Sequence, residues 1–337
     1  MKSAFLYLSP FFCFLNSAFA QDAHWAQYYN TIAYNNPAQI GLYNGYAYQR
    51  AVLAYRNQWA SVPVPYNTAF LAFDRQVKLK GMRNNSFGIG GTLLHDEAGD
   101  SQLSLDELTA QAAYHLAVTK NQWVSIGAQV GVAQRRFQTK KLTFDNQYNG
   151  DVFDPMLSTR ENIPLSDFLF MDYGVSANYV WFYNAHTAVE IGGTALHLDA
   201  PQQSFFNQDA VRLPRRFSLN ARAQFPLADR LDITLSGNSF FQEKQSETVF
   251  SALFNFTLKE ETFKKIAIYG GCGLRINDAI IPAVGIQYNQ WRAGLCYDIT
   301  TSNFSKASQG NGGIELTVQH FWYRVPPIKK AKACPVY

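Results

Sequence analysis

Past residue 20 the sequence has no long apolar run, although 47% of its 337 residues are hydrophobic and 15% are aromatic. A membrane-crossing helix needs about 20 apolar residues in succession, so a helical membrane protein is excluded. A membrane β-barrel is not, because its strands alternate apolar and polar residues, and a mean hydropathy of −0.19 suits that alternation. An excess of one charge is also missing: 29 basic residues meet 25 acidic ones along the whole length, which leaves no footprint for nucleic acid. No Pro/Ser/Gly linker, charge block or low-complexity stretch divides the chain, so one continuous architecture is expected.

Motifs of chemistry are missing too. The six histidines form no HxxH or HExxH pattern and the cysteines no CxxC, so no metal site is expected. The stretch HDEAGD, His95 to Asp100, clusters acids without the spacing of a calcium loop and reads as solvated loop. GIGG at Gly88 and GGCG at Gly270 lack the Lys-Ser/Thr pair of a phosphate loop and suit bends or close packing in strands. With no GxSxG or comparable nucleophile motif, no catalytic residue and no cofactor is assigned, and a non-enzyme is expected.

What is present begins with MKSAFLYLSPFFCFLNSAFA. Its early Lys2, apolar stretch and small-residue end at Ala18 to Ala20 read as a secretory signal cut before Gln21. From Gly45 onward the hydrophobic period is two. In RFSLNARAQF, Phe217, Leu219, Ala221, Ala223 and Phe225 are apolar, and Arg216, Ser218, Asn220, Arg222 and Gln224 between them are polar. About fourteen such stretches follow one another, beginning near Gly45, Tyr66, Ser86, Leu103, Gln122, Asp167, Ala185, Arg215, Leu231, Glu247, Lys264, Ala279, Trp291 and Gly312. Tight connections such as TKNQ, YNA, PLADR and YNQW alternate with long ones, Gln138 to Ser166, Leu198 to Pro214 and Ile299 to Asn311.

The pattern predicts an all-β fold: an antiparallel up-and-down barrel of about fourteen strands in the outer membrane, with short periplasmic turns and longer extracellular loops. The expected organisation is a periplasmic amino-terminal segment over 21–44, the barrel over 45–323 and a periplasmic tail over 324–337. Strand parity points Arg50, Arg56, Asp74, Arg216 and Arg222 into the lumen, and with them Asp232, Arg275, Arg292, Asp298 and Glu315. Tyr55, Trp59, Trp123, Trp181, Trp291 and Trp322 fall near strand ends, where aromatic girdles sit. Ala221→Arg on the lipid face is expected to cost far more than Asn220→Arg beside it. Cys272 belongs to the lipid face and Cys296 to the lumen, two strands away, so they stay unbridged. Cys334 lies beyond the last strand.

The wording of the sequence adds to this. QDAHWAQYYN, YNNPAQIG, AYRNQW and YNTAFLAFD near the start, then HDEAGD, LTFDNQ, HLDAPQQSF with LPRRF, YDITTSNF, NGGIEL and a CPVY tail, come in an order that resembles the PorP/SprF family of type IX secretion outer-membrane proteins. The resemblance implies a non-enzymatic barrel in a Bacteroidetes-type envelope. It would help export or anchor a large adhesin-like surface protein, of the kind used in gliding motility, by docking that protein's carboxy-terminal signal domain. The implied partners are this cargo, other secretion components and outer-membrane lipid. Candidate partner contacts at the extracellular mouth are Tyr55, Arg56, Asn57, Gln58 and Trp59, with His197, Leu198, Pro201 and Asp298. Asn36 and Pro37, and Cys334 and Pro335 of the tail, are candidates on the periplasmic side. The rival reading on the same fold is a general porin or a channel for hydrophobic solutes.

Overall fold

Each alternating stretch forms a strand, and each strand pairs with its neighbours in sequence. The computed structural model describes residues 22–59, 65–82, 84–99, 101–138, 142–160, 165–206, 211–261, 264–303 and 305–324. The leader and the CPVY tail, with Cys334 and Pro335, lie outside these residues. The first seven strands are β1 Ala47–Gln58, β2 Tyr66–Val77, β3 Ser86–Ala98, β4 Leu103–Ala117, β5 Gln122–Arg136, β6 Asp167–Phe182 and β7 Ala188–Leu196. The rest are β8 Arg216–Ala228, β9 Leu231–Gln242, β10 Gln245–Glu261, β11 Lys264–Arg275, β12 Ala279–Tyr288, β13 Trp291–Thr300 and β14 Asn311–Tyr323. All pairs are antiparallel, and β14 returns to β1 with Glu315 opposite Arg56, so the sheet closes as a fourteen-strand barrel without edges.

The strands run from 9 to 17 residues, enough to cross a bilayer. In β8 the two faces separate cleanly: Phe217 and Leu219 are 53% and 62% exposed on the outside, while Arg216 and Ser218 are 2% and 5% exposed within. The same outward row continues through Ile126, Ile191, Val284 and Leu316. Apolar side chains on the outer wall have nothing to pack against except hydrocarbon, so the sheet reads as a membrane barrel. Cys272 is exposed on that wall and Cys296 is buried, and both are free thiols.

Turns of a few residues at 118–121, 229–230 and 289–290 share one end of the barrel with the start of β1 and the end of β14. The opposite, loop end carries the connections 137–166, 197–215 and 301–310. Rings gather at both ends. Trp123 packs on Phe182 and Trp181 on Tyr183 at the turn end, with centroids 5.8 and 5.6 Å apart, and Trp59 meets Tyr66 at 5.1 Å at the loop end.

The lumen is not empty. Residues 22–44, expected to precede the barrel on its periplasmic side, lie inside it as a plug built from α1 (Ile32–Asn35), a one-turn 3-10 helix (Pro37–Gln39) and irregular chain. Trp25, Gln27, Asn30, Thr31, Asn36 and Ile40 are at most 3% exposed. Trp25, Ala33 and Ile40 pack on Val52, Phe70, Leu94 and Ala113 of one wall. Ala26 and Tyr28 pack on Leu253, Tyr269 and Ile281 of another. The molecule's core is therefore plug against wall. GIGG has its reason here, since a Cβ at Gly88 would collide with the Ile40 carbonyl oxygen, and across the wall a Cβ at Gly127 would sit 2.5 Å from the Ala38 nitrogen.

The plug also changes one expectation about the faces. Asn220 is an occupied site, because Asn36 Nδ2 donates to its Oδ1 at 2.9 Å, so an arginine there would displace the plug. Gln224 on the same face lines open space and donates to Asp232 at 3.3 Å. Ala221→Arg, on the lipid face, is expected to cost about 2–4 kcal/mol and Gln224→Arg under about 1. A urea titration in lipid vesicles that gave equal losses would overturn the assigned faces.

Candidate functional site

Three groups of buried polar side chains tie the plug to the wall, two toward the loop end on different parts of the wall and one toward the turn end. Nearest the loops, His197 follows β7 with a left-handed φ of 54° and lies between two carboxylates. Its Nε2–H donates to Asp22 Oδ2 at 2.7 Å and its Nδ1–H to Asp172 Oδ1 at 2.8 Å. Arg216 adds a second cation, with Nη1 3.2 Å from Asp22 Oδ2 and its guanidinium over the Tyr34 and Phe240 rings.

Elsewhere on the wall, also toward the loop end, Glu315 of β14 accepts the backbone N–H groups of Ala26 at 2.7 Å and Gln27 at 2.8 Å. The same carboxylate takes Arg56 Nη1 at 3.1 Å. Arg56 Nη2 reaches Asp298 at 2.7 Å, and Arg275 Nη1 reaches the same Asp298 oxygen at 2.9 Å. At the turn end Asp74 accepts Arg50 Nε at 2.9 Å, the Gly41 N–H at 2.7 Å and the Tyr43 hydroxyl. His115 donates from Nε2 to the Ile40 carbonyl at 2.9 Å while its Nδ1 pairs with the Ser125 hydroxyl at 2.7 Å.

Within the plug, Asn36 caps the 3-10 turn by accepting the Ala38 N–H at 2.9 Å, and Pro37 occupies the first position, where no donor is needed. Ala38 N–H is shared with Ser176 Oγ of β6 at 2.7 Å, so the turn is bolted to the wall as well as capped.

The loop-end group sets a pH window. Burial opposes the His197 cation, but Asp22 and Asp172 on either side outweigh it and push its pKa up to about 10. Burial would raise the Asp22 carboxyl, yet His197 and Arg216 hold it well below the usual carboxylate range. A raised histidine contributes fully below its unfolded value of about 6.5 and is lost as pH rises through the folded one. A lowered carboxylate contributes above about 4 and is lost in acid. The latch is therefore tightest between about pH 4 and 6.5 and opens in alkali near pH 10. NMR titration of the His197 ring should find it charged at pH 8, and a midpoint near 6.5 would mean that no latch forms.

Of the charged residues assigned to the lumen, Arg50, Arg56, Asp74, Arg216, Asp232, Arg275, Asp298 and Glu315 are buried, and Arg222 and Arg292 are half-buried. Asp232 also holds His186 at 2.9 Å. The partner contacts need correction. Arg56, His197, Asp298, Asn36 and Pro37 are buried and spend their polar groups inside the chain, so in this conformation they cannot touch a partner. Pro201 is buried, its carbonyl accepting the Leu213 N–H at 2.8 Å. Leu198 is half-buried. Tyr55 lies on the outer wall, where its hydroxyl donates to Asn67, and Asn57 donates to the same oxygen. Gln58 and Trp59 remain partly exposed at the loop end.

Asp22, Gln27, His115 and Asp172 are plug-anchoring residues that sequence reasoning missed. The available signal was the surplus of inward charge, which demanded lumenal partners. The loop end also exposes apolar side chains beyond the strands, Val152, Phe153 and Met156 in one long loop and Phe206 and Val211 in another, at 45–90% exposure. Among the described residues no cluster of three His, Cys, Asp or Glu could hold a metal ion.

A family model described as type IX secretion system membrane protein PorP/SprF matches residues 17–319. No curated protein matches the chain in sequence. Solved barrels are similar in fold at low identity. The Pseudomonas putida toluene transporter TodX is 11% identical, with a TM-score of 0.49 over 87% of this chain and 93% of that one. A Pseudomonas aeruginosa FadL homologue is 12% identical, with 0.47 over 86% and 94%. CdiB from Escherichia coli is 6% identical, with 0.46 over 81% of this chain, which spans 63% of CdiB.

Proposed function

Since this chain belongs to the PorP/SprF family of type IX secretion system membrane proteins, an outer-membrane component of that system, we propose that it helps export or anchor a large surface protein without catalysing a reaction, by docking that protein's carboxy-terminal signal domain at its loop end. The observation that carries the reading is the plug. A lumen crossed from Asp22 to Asn44 by the chain itself is poorly suited to free solute passage, which argues against the general porin. What remains for recognition is the loop crown, whose exposed Val152, Phe153, Met156 and Phe206 form the apolar surface that marks interaction sites. On this reading the loop end is extracellular, the turn end faces the periplasm, and Tyr55, Asn57, Gln58 and Trp59 contribute from the rim.

The test is a pull-down of the tagged protein from its native outer membrane. Recovery of a large surface protein through its carboxy-terminal domain, lost when Val152, Phe153 and Met156 are all changed to serine in a barrel that still folds, is the expected result. Undiminished recovery by that variant would remove the crown from the interface. A protein that co-purifies with nothing and conducts ions would favour the channel.

A further inference from the structure

At the turn end, the plug and wall leave a cavity of about 220 Å³, opening where Ala47, Phe182, Ala188 and Tyr323 begin or end their strands. Four charged side chains line it: Arg50, Glu190, Arg222 and Arg292. Arg50 is committed to Asp74, and Glu190 accepts from Asn178 Nδ2 at 3.0 Å. Arg222 lies opposite Glu190 in the β7–β8 register and shares its field without a close ion pair, whereas Arg292 lies between Gln287 and Gln319 of the neighbouring strands. Among the described residues neither has a carboxylate oxygen within 4.0 Å. Arg222 has only a long 3.4 Å bond to Gln224, and Arg292 lies over the Tyr269 ring at 4.5 Å with its buried Nε donor unmatched. They come from β8 and β13, separate parts of the wall, into one cavity, where Glu190 offsets one of the two positive charges and leaves the other to be met by an incoming anion.

The geometry points to an anion-binding site in which Arg222 and Arg292 together hold one carboxylate of an acidic peptide segment entering from the turn end. The cavity is smaller than the roughly 300 Å³ at which small-molecule pockets begin, so it fits one acidic side chain or chain terminus offered by a larger partner. The barrel wall separates it from the bilayer, so lipid headgroups do not reach it. Guanidinium pairs hold carboxylates with two parallel bonds, which gives such a site direction as well as affinity. This goes beyond docking at the loop end, because it concerns the opposite mouth and stands whether or not the crown binds cargo.

The probe is a fluorescein-labelled tetra-aspartate peptide added to the full chain in zwitterionic nanodiscs, with tetra-asparagine and inorganic phosphate as comparisons. Saturable binding of tetra-aspartate alone is expected, weakened about tenfold or more by Arg222→Gln or Arg292→Gln and unaffected by Arg215→Gln, an exposed arginine at the loop end. In the unsubstituted protein, a photo-crosslinking version of the peptide should label Gln287 or Tyr323, which line the cavity. Labelling confined to the loops, or binding indifferent to both arginines, overturns the proposal. Phosphate binding that depends on both arginines while the peptide fails to bind also overturns it, in favour of a small-anion site.

Discussion

Arg56→Leu is expected to lower the unfolding free energy by about 3–5 kcal/mol, far more than a typical exposed ion pair is worth. Arg56 is 2% exposed and bonds to two carboxylates, Glu315 at 3.1 Å and Asp298 at 2.7 Å. Without it Asp298 keeps Arg275, but Glu315 is left with only the Ala26 and Gln27 amides and Gln27's side chain nearby. A buried carboxylate with no cation costs more than the pair contributed, so the loss reflects the charge left behind. The triple variant Arg56→Leu, Asp298→Asn, Glu315→Gln should therefore recover part of the stability, because it removes all three charges while the glutamine at position 315 keeps one acceptor oxygen for the two plug amides. Urea unfolding in lipid vesicles decides the matter. A loss below about 1 kcal/mol for Arg56→Leu would place the group in solvent-like surroundings.

The same cluster shows what a sequence can and cannot disclose. That Arg56, Asp298 and Glu315 face inward follows from parity alone, since a strand sends alternate side chains to opposite faces. That they meet each other depends on barrel closure, which sets Glu315 of the last strand against Arg56 of the first, 259 positions apart. The wall was legible because its signal is repeated along every strand: Phe217 out, Arg216 in. The plug was not, because residues 22–44 carry no period and its helix is only four residues long, with no side-chain cap. Gln27 is positioned by Glu315 and Gly294, partners distant in sequence, so nothing local announces its burial. Its Asn, Gln and Tyr content reads as a solvated lead-in, when in fact those groups satisfy the polar inner wall.

Deleting residues 22–44, with the strands left intact, is expected to turn a closed barrel into a conducting one. A fourteen-strand barrel lies between the eight-strand size that side chains fill and the sixteen-strand size that leaves an aqueous channel. Wall side chains alone do not fill it here: the plug supplies Trp25 against Phe70, 5.7 Å apart, and Tyr28 against Ser236 and Ser251. Removing it would hydrate Asp74, Glu315 and Asp172 together, leaving an inner wall with charges of both signs and a continuous water path. A point change should act in the same direction with smaller effect. Trp25→Ala removes a ring that is 3% exposed and should cost about 3–5 kcal/mol of plug docking, so brief openings are expected. Planar-bilayer recordings separate the cases: none or rare steps for the intact chain, intermittent steps for Trp25→Ala, and sustained steps for the deletion. If the deletion is as silent as the intact protein, the long loops over 137–166 and 197–215 close the bore, and the plug's hold on Glu315 and His197 serves only to brace the wall.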